Sequence, residues 1–373
     1  MREAAEIGLG KTAQRAYHLS DVAIVPSRRT RDVDDVSTGW QLDAYQFTIP
    51  CVAHPSDATM SPATAVGLGR LGGLGVLNAE GLWTRYEDPS KLLAELAGLA
   101  DPAAATGRLQ EVYAEPIRPD LIGERIRQLR EGGVTVAVRV SPQHTLALAP
   151  LILDAGVDLL VVQGTIVSAE HVSTTDEPLN LKEFIADLDL PVIAGGCTSY
   201  QTALHLMRTG AAGVIVGIGA DEWATTDPVL GIRVPMASVI ADAAAARRDY
   251  LDETGGRYVH LIADGDVQTS GDIARALACG ADAVMLGEPL SLAEEAPAGG
   301  AWWHSAASHP KLPRGAFGLA RAPLGPLERL LYGPADQPEG TLNLFGGLRR
   351  AMAKCGYRDL KEFQKVDLLL DGP

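Results

Sequence analysis

The sequence predicts an α/β protein built as a single (β/α)8 barrel, the TIM-barrel architecture. Three observations point there. Eight short apolar runs recur along the 373 residues without alternating with polar ones, the pattern of parallel strands buried on both faces. Segments with helical spacing lie between most of them. The 40 glycines and 23 prolines supply the many junctions that such a chain needs.

The runs are Ile49–Ala53, Leu74–Leu77, Val134–Val140, Asp158–Val162, Pro191–Ala194, Gly213–Val216, Val259–Ala263 and Asp282–Leu286. Helical spacing marks Pro119–Glu131, Thr145–Ala155, Tyr200–Thr209 and Ser270–Cys279. Three segments stand outside this rhythm. Residues 1–48 form an N-terminal arm that contains Ser20–Pro26. Residues from about 80 to 133 form an insertion after the second strand, helical at Lys91–Leu99 and Ala103–Ala114. Residues 299–373 begin with a Gly-, Pro- and Ala-rich flap to about 340 and end in helices at Gly346–Lys354 and Asp359–Lys365. The barrel itself is then 49–298.

A net charge of -15 argues against a nucleic-acid groove and an anionic membrane surface. No apolar run approaches 18 residues, so no membrane span is predicted. Cys51, Cys197, Cys279 and Cys355 have neither paired nor metal-like spacing; free thiols and a cytoplasmic location are the simplest reading.

In a barrel of this kind, chemistry sits at the C-terminal strand ends. After the first run, His54 and Asp57 are a candidate acid–base pair, with packing or capping the simpler role. After the fifth, Cys197 is a candidate nucleophile, or a small buried thiol filling a gap. Trp302-Trp303-His304 and His309 suggest an aromatic lid or an anchor for the tail. His205, inside an amphipathic helix, reads as structural. The adjacent carboxylates Asp221 and Glu222 are a poor metal signal, and no metal site is predicted.

Several longer stretches carry a resemblance. They are Val216–Thr226 with the following Val229–Pro235, Arg70–Asn78, Ala263–Asp266, Ser270–Ile273, Gly280–Gly287 and Gly346–Met352. In this order, over nearly the whole chain, they resemble the IMP dehydrogenase / GMP reductase family. His54–Asp57 and Arg247–Thr254 resemble an actinobacterial, dehydrogenase-related branch without CBS domains or the catalytic cysteine. The family's dehydrogenases usually carry a paired regulatory module of about 120 residues where this chain has only the helical insertion.

The resemblance implies a purine-type ligand, NAD(P) as cofactor, and a homo-oligomer (tetramer or octamer). It puts Ala224 where the family has its nucleophilic cysteine, so no catalytic residue is assigned and ordinary IMP dehydrogenase activity is not expected. It implies that Asp264 holds a ribose diol, with Gly217, Gly219, Asp221, Glu222, Thr225, Gly265, Asp266, Gly287 and Glu288 around the ligand. Gln163 takes the place of a cofactor-binding aspartate, and Ile215 that of a basic residue. Asp266, Glu288 and Asp221-Glu222 stand where the family has glycine or serine. Like charges 4 Å apart cost about 4 kcal/mol at an effective dielectric of 20. Either the pocket has turned against a 5′-phosphate, or these side chains swing into solvent. Two classes of function follow. One is a ligand-binding, regulatory or scaffolding paralogue, associating with a true IMP dehydrogenase. The other is an NAD(P)-dependent oxidoreductase that acts on a purine-type ligand without a covalent adduct.

Overall fold

The apolar runs are buried because each is flanked by two strands and faces side chains on both sides. In the computed structural model, which describes residues 4–172, 178–220, 222–307, 309 and 315–371, they form the eight parallel strands of a (β/α)8 barrel. The strands are β1 (Cys51–Ala53), β2 (Val76–Asn78), β3 (Ala137–Val140), β4 (Leu159–Gln163), β5 (Val192–Cys197), β6 (Gly213–Val216), β7 (His260–Ala263) and β8 (Ala283–Leu286). Their order round the sheet is β1-β8-β7-β6-β5-β4-β3-β2. A parallel bridge between Val52 and Leu74 closes the ring. Among the described residues, no helix is long and apolar enough to cross a membrane.

The strands start or stop one to three residues away from the runs, and β5 is the informative case. It continues through Gly195 and Gly196 to Cys197, where the sequence suggested that the glycines end it. A Cβ at Gly195 would sit 2.5 Å from the carbonyl oxygen of Ile215 on β6, so glycine is needed for two backbones to approach this closely. Capping fixes the helix that follows: Ser199 accepts from the backbone of Thr202, and Thr202 reciprocates.

The other segments wrap this barrel. The arm contributes an exposed hairpin (Ala4–Gly8 with Lys11–Gln14) and a second one, Trp40–Leu42 with Tyr45–Phe47. Trp40 stacks on Phe47 at 5.1 Å and lies edge-on to His260 at the start of β7, so this hairpin covers the N-terminal end of the barrel. Val22–Ile24 pairs antiparallel with Leu368–Leu370. Between β2 and β3 lie helices Ser90–Ala97, Pro102–Val112 and Pro119–Glu131. The first two pack with the tail around a core separate from that of the barrel. Leu93, Leu109, Tyr113, Trp303 and Phe317 belong to it, and Trp303 stacks on Phe317 at 5.5 Å.

Below the barrel, buried Asp282 gathers Arg247 at 2.6 Å, Tyr258 at 2.7 Å, the backbone N–H of Leu261 at 2.8 Å and Lys361 at 2.5 Å. Burial pushes its pKa up, but Arg247 and Lys361 outweigh that and hold it at about 2. The stability it confers is therefore present above its unfolded value near 3.8 and is lost as the pH falls towards 2. Replacing Arg247 by Met leaves a buried carboxylate short of a cation and should cost about 3 kcal/mol. Breaking the exposed Arg208–Glu253 pair with Arg208→Ala should leave the melting temperature nearly unchanged. Thermal melts of both variants at pH 7 measure the difference.

Candidate functional site at the C-terminal mouth of the barrel

The loop after β6 lies directly on the end of β7, and two glycines make that contact feasible. Gly217 and Gly219 have φ of +104° and +91°, which side chains rarely tolerate. Gly219 donates its N–H to the carbonyl of Asp264 at 2.9 Å. The loop then turns through Trp223 to Ala224, the position without a nucleophile. Ala224 forms an antiparallel bridge with Gly315 of the tail, and the N–H of Ala316 donates to the carbonyl of Trp223 at 2.8 Å. Thr225 immediately precedes a short helix, Thr226–Leu230.

The end of the mouth after β8 holds a buried carboxylate. Glu288, after β8, is 6% exposed. It accepts from the indole N–H of Trp223 at 2.5 Å, from the amide of Gln268 at 2.9 Å and from the guanidinium of Arg321 in the tail. Glu288 does not swing into solvent: it is turned inward and paired. Asp266 is half-buried with φ +52°, its carboxylate 3.9 Å from His18. Glu222 is exposed, and its pKa is raised by partial burial and then by Glu288 and Asp266. Asp221 lies outside the described residues.

Tail aromatics fill the rest. The ring of Trp302 covers Gly287, and His304 lies against Gly219. The cavity left among His54, Asp264, Gly265, Glu288, Trp302 and His304 measures about 30 Å³, room for two or so waters. His54 and His304 have ring centroids 4.2 Å apart, and His54 Nδ1 is 3.6 Å from the Asp264 carboxylate. Burial, then His54, pushes the pKa of His304 well down, so its ring is neutral at pH 7. The side chain of Gln163 crosses the mouth from β4 and donates to Asp264 at 3.2 Å, while its Oε1 has no hydrogen-bond partner.

The sequence pairs His54 with Asp57; the structure gives each a different neighbour. His54 meets Asp264, whereas the hydroxyl of Tyr113 donates to Asp57, and Trp303 donates to that hydroxyl at 3.1 Å. The chain turns sharply after Pro55, which sends Asp57 towards the insertion rather than the barrel axis. Cys197 is 1% exposed, and burial pushes its pKa to about 12. His205 is exposed on its helix.

A second, larger pocket opens on the other side of the mouth, over β2, β3 and β4. It measures about 410 Å³ and is lined by Glu80, Arg85, Arg139, His144, Thr165 and His309, among others. Arg139 is 5% exposed and donates to the carbonyl of Gln163 at 2.8 Å and to Asn78 at 3.2 Å. Its Nε and the hydroxyl of Thr165 are buried without hydrogen-bond partners. Burial pushes the pKa of Glu80 up, but Arg139 and then His144 overcome this and hold it at about 2. Glu80 in turn raises the pKa of His144, 2.7 Å away. Sequence reasoning missed Arg139, Glu80, His144, Gln268 and Arg321. Arg139 alone carried a signal, as a charged residue inside an apolar strand run.

A match to the family described as "IMP dehydrogenase / GMP reductase domain" covers residues 16–320. The chain is 62% identical over 373 residues to an uncharacterized oxidoreductase of Mycobacterium tuberculosis, covering 98% of this chain and 100% of that one. It is 33% identical over 275 residues to an inosine-5′-monophosphate dehydrogenase of Aquifex aeolicus, covering 69% of this chain and 52% of that one. Among solved structures, it resembles an IMP dehydrogenase/GMP reductase-like protein from Corynebacterium glutamicum. That similarity has a TM-score of 0.93 and 54% identity, and covers 98% of this chain and 97% of that one.

Burial raises the pKa of Asp57 to about 6, against the lowering effect of Tyr113. A carboxyl with a raised folded pKa contributes most below its unfolded value near 3.8, and that contribution is lost as the pH rises through 6. Asp57→Asn should therefore melt higher than the wild type above pH 6, by up to about 3 kcal/mol, and flatten the loss between pH 4 and 6. Melting curves from pH 4 to 8 check this.

Proposed function

This chain belongs to the IMP dehydrogenase / GMP reductase family, and from that premise we propose that it is a ligand-binding member without the covalent dehydrogenase chemistry. The observation that carries this reading is the phosphate half of the mouth, reduced to about 30 Å³ with Ala224 bridged to the tail. Small-molecule pockets are typically 300–1,000 Å³. A covalent route needs a thiolate beside the purine. Position 224 has no sulfur, and burial pushes the thiol of Cys197 up to about 12, which keeps it protonated at pH 7. The indole of Trp223, the amide of Gln268 and the guanidinium of Arg321 at that end are already engaged by Glu288.

The pocket of about 410 Å³ beside Gln163, Gly164 and Thr165 supports binding of a polar, anionic small molecule, with NAD(P) the first candidate. Arg85 and Arg139 supply charge, and the free Nε of Arg139 a donor. In this reading the protein is a regulatory or scaffolding paralogue, cytoplasmic and homo-oligomeric as a tetramer or octamer, and associates with a true IMP dehydrogenase. The second reading is an NAD(P)-dependent oxidoreductase acting on a purine-type ligand without an adduct. It is favoured by this same pocket and by the oxidoreductase names of the relatives.

Purified protein given IMP and NAD should form no NADH above background. Ala224→Cys should stay inactive too, because the tail still fills the site. IMP-dependent NADH formation at an ordinary enzyme rate by the wild type sinks the proposal. NAD or NADP at a hundred times its dissociation constant should stabilise the fold by about 2.7 kcal/mol, and Arg139→Ala should abolish the shift. No change in melting temperature with either dinucleotide would remove NAD(P) as the ligand. Purine-dependent reduction of NAD(P) by the unmodified protein would select the second reading.

A further inference from the structure

We propose that His54, Asp264 and His304 bind a divalent transition-metal ion of the zinc class, which ties the tail to two barrel strands. His54 follows β1, Asp264 follows β7, and His304 comes from the tail. No sequence spacing links them, and the sequence suggested no metal. Each offers one ligand atom, and the three atoms lie within 4.8 Å of one another. All three residues are buried, at 1%, 5% and 7% exposure.

Two imidazoles and one carboxylate are the ligand chemistry of zinc and its first-row neighbours rather than of calcium or magnesium. Zinc bonds of roughly 2.1 Å place tetrahedral ligand atoms about 3.4 Å apart. The separation of 3.6 Å between His54 Nδ1 and the Asp264 carboxylate is close to that already. The third ligand sits on the tail, directly after the paired strand Trp302–Trp303.

Two observations point to a cation independently of this spacing. The Asp264 carboxylate is buried against two histidines and an amide, with no Lys or Arg in salt-bridge range among the described residues. Buried carboxylates usually face a cation. Beside it, Gln163 is 2% exposed with an unpartnered Oε1, an oxygen that a rotated amide would offer as a further ligand. The backbone N–H of Ser305 lies 3.4 Å from His54 Nε2, and that of Ala306 lies 3.1 Å from His304 Nδ1. An ion on His54 Nδ1 puts a proton on Nε2, where the Ser305 bond is accepted, so coordination exchanges that bond. The small cavity beside the cluster admits a water as the remaining ligand.

The test uses the full chain, stripped with chelator and titrated with Zn(II) and Co(II). The expected result is one tight equivalent of Zn(II), a higher melting temperature with zinc, and the visible bands of a low-coordinate Co(II) site. His54→Gln and Asp264→Asn should each weaken binding at least tenfold while keeping the circular dichroism of the stripped wild type. His304→Ala should do the same; if it fails to fold, the other two variants decide. A Co(II) spectrum of the hydrated ion overturns the proposal, as does zinc binding that is unchanged in His54→Gln and Asp264→Asn. These readouts are independent of IMP turnover and of dinucleotide binding.

Discussion

The carboxylate of Glu288 is the fixed charge around which the top of the barrel closes. A buried anion must be matched, and each of its three donors comes from a different place. Trp223 brings the loop after β6, Gln268 the turn after β7, and Arg321 the tail. Holding these together sets the loop against the tail, which brings Ala224 to Gly315 and lays Trp302 over Gly287. The shrunken cavity is a consequence of that arrangement. Ala224 carries no nucleophile, and its surroundings are sealed by a salt bridge some distance away.

The two halves of the mouth differ in how their polar groups are satisfied. On the Glu288 side the carboxylate is fully paired and the space is filled. On the Arg139 side a buried guanidinium nitrogen and a buried hydroxyl have no partner, and the space is open. Such groups cost stability unless something meets them. Gln163 stands between the halves, with its carbonyl on Arg139 and its side chain on Asp264. Any ligand that moves Arg139 therefore has a two-bond path to the acidic residue on the far side.

The barrel was legible because parallel strands write their burial into consecutive residues: Leu159–Gln163 is apolar up to its last position. The helical character of Pro119–Glu131 was equally open, since its apolar positions recur every three or four residues. The site was less so. Glu288 was visible as an acidic residue at a phosphate position, but its direction depends on Gln268 and Arg321, which no local pattern connects to it. His54 was noticed and assigned a neighbour three residues away, because sequence favours what is close along the chain. Its actual neighbours, Asp264 and His304, reach it only through barrel closure and the return of the tail. Periodicity encodes elements; convergence of side chains from four or five elements leaves no periodic trace.

The pairing of Val22–Ile24 with Leu368–Leu370 joins segments near opposite ends of the chain. A ribosome delivers the first of these long before the second. Through most of synthesis the early strand has no partner, and its exposed backbone groups are free to pair elsewhere. Lys361 likewise reaches Asp282 only when nearly all of the chain is out. The seam between the arm and the C-terminal strand is therefore sewn last. Premature termination within the final helix and strand would leave a nearly whole barrel with an unguarded edge, the form of this protein most prone to aggregate.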